Sequence, residues 1–175
     1  MFWLKIIGRF LRVLREGATP GQIAAGFLLG FAIGFIPGAP LHVLILVLIT
    51  LVFSVNLSMA IAGILVALAV GWLFDPLIER LGYWLLVDVH FLKGLWTAMY
   101  NSPVIMLTRF NNTVIMGASA AMLALAWPLY WLLSRGVVVY REKYLARVER
   151  LRIVQMLKAS KFYRWYQRLS GLRLS

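Results

Sequence analysis

The sequence predicts an all-α membrane protein, a polytopic chain with re-entrant or broken helices and amphipathic helices at its N- and C-termini. Three observations predict it. Of 175 residues, 62% are hydrophobic and 14% charged, with a mean hydropathy of +0.85, whereas a soluble domain is about 45–50% apolar and about 25% charged. A chain this short has too little interior to hide that much apolar surface from water. From Gly17 to Phe74, 58 residues pass without one Lys, Arg, Asp or Glu. Proline and glycine then cut this stretch into pieces, several of which fall short of the about 20 residues that cross a ~30 Å hydrocarbon layer.

The elements follow in order. In residues 1–16, Lys5, Arg9, Arg12 and Glu16 recur at helical spacing among Phe2, Trp3, Ile6, Ile7, Phe10 and Leu14. That pattern reads as an interfacial amphipathic helix with its basic stripe toward anionic head groups, not as a cleaved leader. Residues 17–134 form the membrane domain. Thr19-Pro20 is a cap followed by a first-turn proline, and the helix it opens stops at Pro37-Gly38-Ala39-Pro40. The next apolar run, Leu41 to Phe53, has 13 residues, about 20 Å as a helix and too short to cross. Residues 20–53 therefore read as a re-entrant hairpin that enters from the cytoplasm and returns, with Gln22 and Asn56 satisfying backbone groups at its open end.

Leu57 to Phe74 is long enough for the first crossing, 57–74. Asp75-Pro76 is expected to reset the chain, with a short helix following from Leu77 to Val87. Ser102-Pro103 is expected to start another short helix that includes Arg109. Asn112 caps the second crossing, 113–134, with Pro128 as a kink. Residues 135–175 carry 11 Lys or Arg against Glu142 and Glu149, a basic amphipathic tail suited to anionic lipid.

Charge sets the expected orientation. The total is 18 Lys and Arg against 6 Asp and Glu, concentrated at the two ends, while residues 75–112 are neutral. The positive-inside bias then puts both termini in the cytoplasm of a multi-pass inner-membrane protein, with an even number of crossings: two as divided above, or four with longer hairpin arms. Nucleic acid is not the expected partner, because a phosphate-binding patch has no need of a 58-residue chargeless stretch.

Residues 24–40 read AAGFLLGFAIGFIPGAP. Gly26, Gly30 and Gly34 fall at i, i+4 and i+8 on one helix face, a helix-packing stripe that lets another backbone approach closely. A pattern of the type A-x-G-F-A-x-G, then Pro, then an Asn-containing link and a second proline break runs through Gly26, Gly30, Phe31, Ala32, Ile33, Gly34, Pro37, Asn56, Ala60 and Pro76. On these residues the chain resembles a bacterial family of small inner-membrane proteins of unknown function. Asp75-Pro76-Leu77-Ile78 stands where that family has an Asn-Pro-x-Thr-like break. In architecture the arrangement also looks like the paired re-entrant hairpins of the DedA and VTT lipid-translocating families, and the family resemblance implies bacterial envelope lipid traffic.

Short, proline-interrupted apolar segments point to a transport site, because irregular backbone at membrane depth is tolerated only inside protein or beside a wet cavity. The candidate ligand-binding residues are Pro37, Gly38, His42, Asp75, Pro76 and Arg80. Helix starts at Leu41 and Leu77 would each turn free N–H groups toward an anion such as a lipid phosphate. Asp75 has two readings: a cap before Pro76, or a membrane-embedded carboxylate paired with Arg80 or Lys93. There is no cysteine, and two histidines are too few for the usual zinc sites. Ser54, Ser58, Ser102 and Ser119 have no evident histidine partner, so no catalytic residue, metal or cofactor is expected. The expected function is lipid handling, scramblase- or translocase-like, on anionic phospholipids. The alternative is a non-transporting subunit that docks a larger envelope lipid-transport assembly, through a protein partner or its own copy.

Overall fold

The computed structural model describes residues 18–144; the amphipathic segment expected over 1–16 and most of the tail expected over 135–175 lie outside them. The described residues form helices and no strand. Helix α1 is Pro20–Phe35, α2 Leu41–Val52, α3 Leu57–Tyr83 and α6 Thr113–Val139. Between α3 and α6 lie a π-helical turn Trp84–Asp88, a 3-10 turn His90–Leu92, α4 (Lys93–Tyr100) and α5 (Pro103–Met106). A second π-helical turn, Tyr140–Tyr144, continues α6.

The three main starts are capped as their side chains dictate. Thr19 accepts from the Gln22 N–H at 3.2 Å while Gln22 accepts from the Thr19 N–H at 2.9 Å, a reciprocal box ahead of Pro20. The Asn56 side chain accepts from the Met59 N–H and that of Asn112 from the Ile115 N–H, both at 3.0 Å. Each such cap contributes about 1 kcal/mol.

Glycine sets the packing. At Gly26, Gly30 and Gly34 on α1, the nearest backbone is that of Asn56, Ala60 and Ile64. The partner always lies 30 residues ahead, so α1 and α3 run side by side in the same direction. Gly63 returns the contact from α3, fitting against Phe27, Gly30 and Phe31. On the other side, Gly82 meets Thr113 and Gly117 meets Ile78, which makes α6 antiparallel to α3. The far end of α6 comes back to the start of α1: the Tyr130 hydroxyl lies against Gly21, and Arg141 donates to the Ala18 carbonyl at 2.8 Å.

Helix α2 completes a hairpin with α1. The open end is closed where the Asn56 N–H donates to the Gln22 carbonyl at 3.2 Å. The turned end sits on a buried cluster of Ile36, Val43, Ile78, Ile115 and Ala118. Beyond its first turn, α2 buries only Thr50, whose hydroxyl donates to the Leu46 carbonyl at 2.8 Å.

Two helical runs are long and apolar enough to cross a membrane, Leu57–Asp88 with 32 residues and Thr113–Lys143 with 31. The hairpin arms have 16 and 12 residues, hence about 24 and 18 Å of rise.

Two expectations about chain breaks are corrected, and one helix runs longer than expected. Asp75-Pro76 does not reset the chain, since α3 runs unbroken from Leu57 to Tyr83 with Pro76 inside it. Proline costs about 3 kcal/mol within a helix through one lost backbone bond and a steric clash. Here Pro76 and the residue one turn back, Trp72, are both exposed, while glycine contacts hold α3 to its neighbours at Gly63 and Gly82. Asp75 is thus neither a cap nor the start of a second hairpin. In the same way α5 stops at Met106, and Arg109 falls outside it in a left-handed turn at φ 53°. Helix α6 continues through Pro128 to Val139, past the expected end at Ser134.

Candidate functional site at the hairpin tip

The tip is five residues, Ile36 to Pro40. Ile36 ends α1 in an extended conformation, Gly38 takes φ 76°, and Pro40 is fully buried at the head of α2. Pro37, Gly38 and Ala39 are exposed. A side chain at φ 76° is strained by about 1–2 kcal/mol, which is why glycine stands there.

The connector between α5 and α6 closes on this tip. The Leu41 N–H donates to the Leu107 carbonyl at 2.9 Å, so the first amide of α2 is already taken. Arg109 is held in its turn by its own N–H, which donates to Met106, and by its carbonyl, which accepts from Asn112, both at 3.0 Å. Its guanidinium Nη1 comes to 3.8 Å from the point where a Cβ on Gly38 would sit. The guanidinium has no ion-pair partner among the described residues. Two facing left-handed residues, one of them a cation, therefore define the tip.

His42, in the first turn of α2, reaches α6. Its Nε2 and the Ser119 Oγ are 3.0 Å apart and share a hydrogen bond. Ser119 thus does have a histidine partner, contrary to expectation; a separation of 77 residues hid it from sequence reading. No group of three or more His, Asp or Glu side chains that could hold a metal ion occurs among the described residues.

The structure gathers Pro37, Gly38 and His42 at the tip and leaves Asp75, Pro76 and Arg80 elsewhere. Those three lie exposed along α3, and the residue of that stretch that touches the tip cluster is Ile78. The helix start expected at Leu77 does not exist, because Leu77 lies within α3. Only one hairpin forms among the described residues, so the paired-hairpin likeness to DedA and VTT proteins is not reproduced. Arg109, expected on the short helix that starts at Ser102-Pro103, was missed as a site residue. Only its sequence neighbourhood of Thr108, Asn111 and Asn112 hinted at a turn.

A glycine-packed helical bundle with two membrane-length helices and one short apolar hairpin is the class of protein these features define. The chain belongs to the family of uncharacterized proteins conserved in bacteria, DUF2062, whose model matches residues 5–146. It is similar to an uncharacterized protein of Treponema pallidum (strain Nichols), 25% identical over 138 residues that cover 79% of this chain and 85% of that one. No solved structure matches.

Proposed function

We propose that this protein is a non-enzymatic, lipid-handling protein of the bacterial inner membrane that binds an anionic phospholipid head group at the hairpin tip. In this reading α3 and α6 cross the bilayer, the α1–α2 hairpin enters from the cytoplasmic side, and both basic termini remain there. The single observation that carries it is the Arg109 guanidinium beside Gly38. A cation without an ion-pair partner among the described residues, set over exposed irregular backbone, favours a phosphate oxygen through a charge-assisted hydrogen bond. Because the tip meets the α5–α6 connector, the head group is taken from the leaflet opposite the termini. Four residues now carry the site: Pro37, Gly38, His42 and Arg109.

The test is lipid exchange between leaflets. Full-length protein in vesicles containing labelled phosphatidylglycerol should accelerate it, and Arg109→Gln should slow it several-fold while leaving the fold intact. The chain has no cysteine, so orientation is read by adding one at a time. Ala39→Cys should react with an impermeant maleimide from the face opposite the one that labels Ser54→Cys.

A second reading is favoured by the backbone-tight seam between α1 and α3. It leaves no aqueous path between those helices, as suits a subunit that anchors a larger envelope assembly. No acceleration of lipid exchange, together with stable co-purification of a large partner, selects this reading.

A further inference from the structure

Helix α6 carries a second cation toward its other end, far from the hairpin tip. The Arg135 guanidinium lies over the Trp131 ring, 4.3 Å from its centroid, inside the about 6 Å at which a cation and a ring face attract. Both residues are exposed, and Arg135 has no ion-pair partner among the described residues. Trp127, one turn before Trp131 on the same helix stripe, is 77% exposed. The surface beside Arg135 is open, since nothing lies within 4 Å of the Cβ that Gly136 lacks.

Helix pairing sets the level of this stack. Gly117 meets Ile78 where α6 runs antiparallel to α3. Eighteen residues along α6 from that contact, and as many back along α3, stand Arg135 and Ala60, close to the start of α3 at Leu57. The contacts on either side agree: the Tyr130 hydroxyl lies against Gly21, and Arg141 donates to the Ala18 carbonyl. From Thr113 to Arg135, α6 advances 22 residues, about 33 Å of rise, against a hydrocarbon layer of about 30 Å. Arg109, just ahead of α6, and Arg135 therefore stand about one such layer apart.

The structure assigns to Trp131 and Arg135 a second binding site for an anionic phospholipid head group, in the leaflet on the side of the termini. This rests on the reading of α6 as a bilayer crossing, and it supplies the station that receives a head group released from Arg109. A lipid-facing guanidinium is tolerated at this level because phosphate oxygens are in reach, and tryptophan favours the same layer. A guanidinium seated on a ring keeps the N–H donors of its edge, a fork that matches two phosphate oxygens at once. Lysine, a compact point charge, offers no such fork. The bare surface at Gly136 leaves room for the glycerol backbone beside it.

The experiment uses the full chain, which has no cysteine of its own, with Val139→Cys carrying a bimane fluorophore. The protein sits in phosphatidylcholine vesicles doped with phosphatidylglycerol or phosphatidylcholine that bears a nitroxide high on its acyl chain. Val139 is exposed one turn beyond Arg135, and Leu123→Cys, at an exposed position about three turns before it, is the reference. Salt high enough to screen the diffuse pull of the basic termini is present throughout. Quenching at Val139 should favour phosphatidylglycerol about fivefold more in the unaltered background than with Arg135→Gln. Arg135→Lys and Trp131→Leu should each forfeit most of that preference, and at Leu123 both lipids should quench alike. An unchanged preference with Arg135→Gln, or full retention with Arg135→Lys or Trp131→Leu, overturns the site, because diffuse charge would then suffice. Quenching at Leu123 without a phosphatidylglycerol preference at Val139 overturns the site alone. No quenching by either lipid at Leu123 overturns the crossing of α6 and the site with it. Lipid exchange is not read in this experiment, so failure of the Arg109 site leaves its result standing.

Discussion

Gly82 of α3 and Gly117 of α6 lie backbone to backbone: a Cβ on Gly82 would come within 2.9 Å of the Gly117 amide nitrogen, and one on Gly117 within 3.0 Å of the Gly82 nitrogen. Apolar burial does little to join helices in lipid, because the tails are as apolar as the side chains, so close van der Waals packing takes over. Gly30 and Gly63 play the same part at the α1–α3 seam. Gly30→Ala or Gly117→Ala should therefore destabilise the detergent-solubilised protein by about 1–3 kcal/mol or more through overpacking. Gly71, with nothing within 4 Å of its would-be Cβ, is the internal control. Gly71→Ala should be neutral or raise the melting temperature, since alanine is the better helix former by about 1 kcal/mol. Equal losses at all three sites would mean that the seams are not where the structure puts them.

Pro76 is an exposed proline within a continuous helix. Pro76→Ala should restore one backbone hydrogen bond and stabilise α3, by up to about 3 kcal/mol, without slowing lipid exchange. A variant that is more stable but has lost exchange would show that the proline shapes a functional kink.

His42 and Ser119 join the second hairpin arm to α6. Hydrogen bonds between membrane helices couple by about 0.6 kcal/mol on average. A double-mutant cycle over His42→Ala and Ser119→Ala, read by thermal unfolding in detergent, should return a coupling of about 0.5–1 kcal/mol. Additive losses would remove the pair from the set of contacts that seat the tip.

Stability and function should part company at Arg109. Its positive φ costs about 1–2 kcal/mol relative to glycine, so Arg109→Gly should raise the melting temperature while weakening capture of phosphatidylglycerol. Gly38→Val, which imposes the same strain at φ 76°, should lower it. If Arg109→Gly binds anionic vesicles as well as the unaltered protein, the cation has no part in head-group recognition.

Much of the helical frame was readable from local chemistry. Thr19-Pro20, Asn56 and Asn112 announce helix starts because capping depends on residues three apart in sequence. The four-residue spacing of Gly26, Gly30 and Gly34 announces a close approach because a helix repeats on nearly that period. Pro76 was misread because a proline in isolation carries the same signal whether a helix ends there or neighbouring contacts hold it through. The His42–Ser119 pair, the Gly82–Gly117 crossing and the placing of Arg109 over Gly38 all join distant segments. Nothing in the spacing of one segment specifies such a partner.

Laying α1 and α3 alongside each other, pointing the same way, obliges the chain to travel back to its starting level between them. The return leg is α2, whose register is set by an anchorage at its first residue, Leu41 with Leu107, and another in the link that follows it, Asn56 with Gln22. Along most of its middle it presents Leu44, Ile45, Leu48 and Leu51 outward. Those positions should accept almost any greasy residue, whereas adding or deleting one would pull an anchorage apart and carry the Gly38 turn away from Arg109.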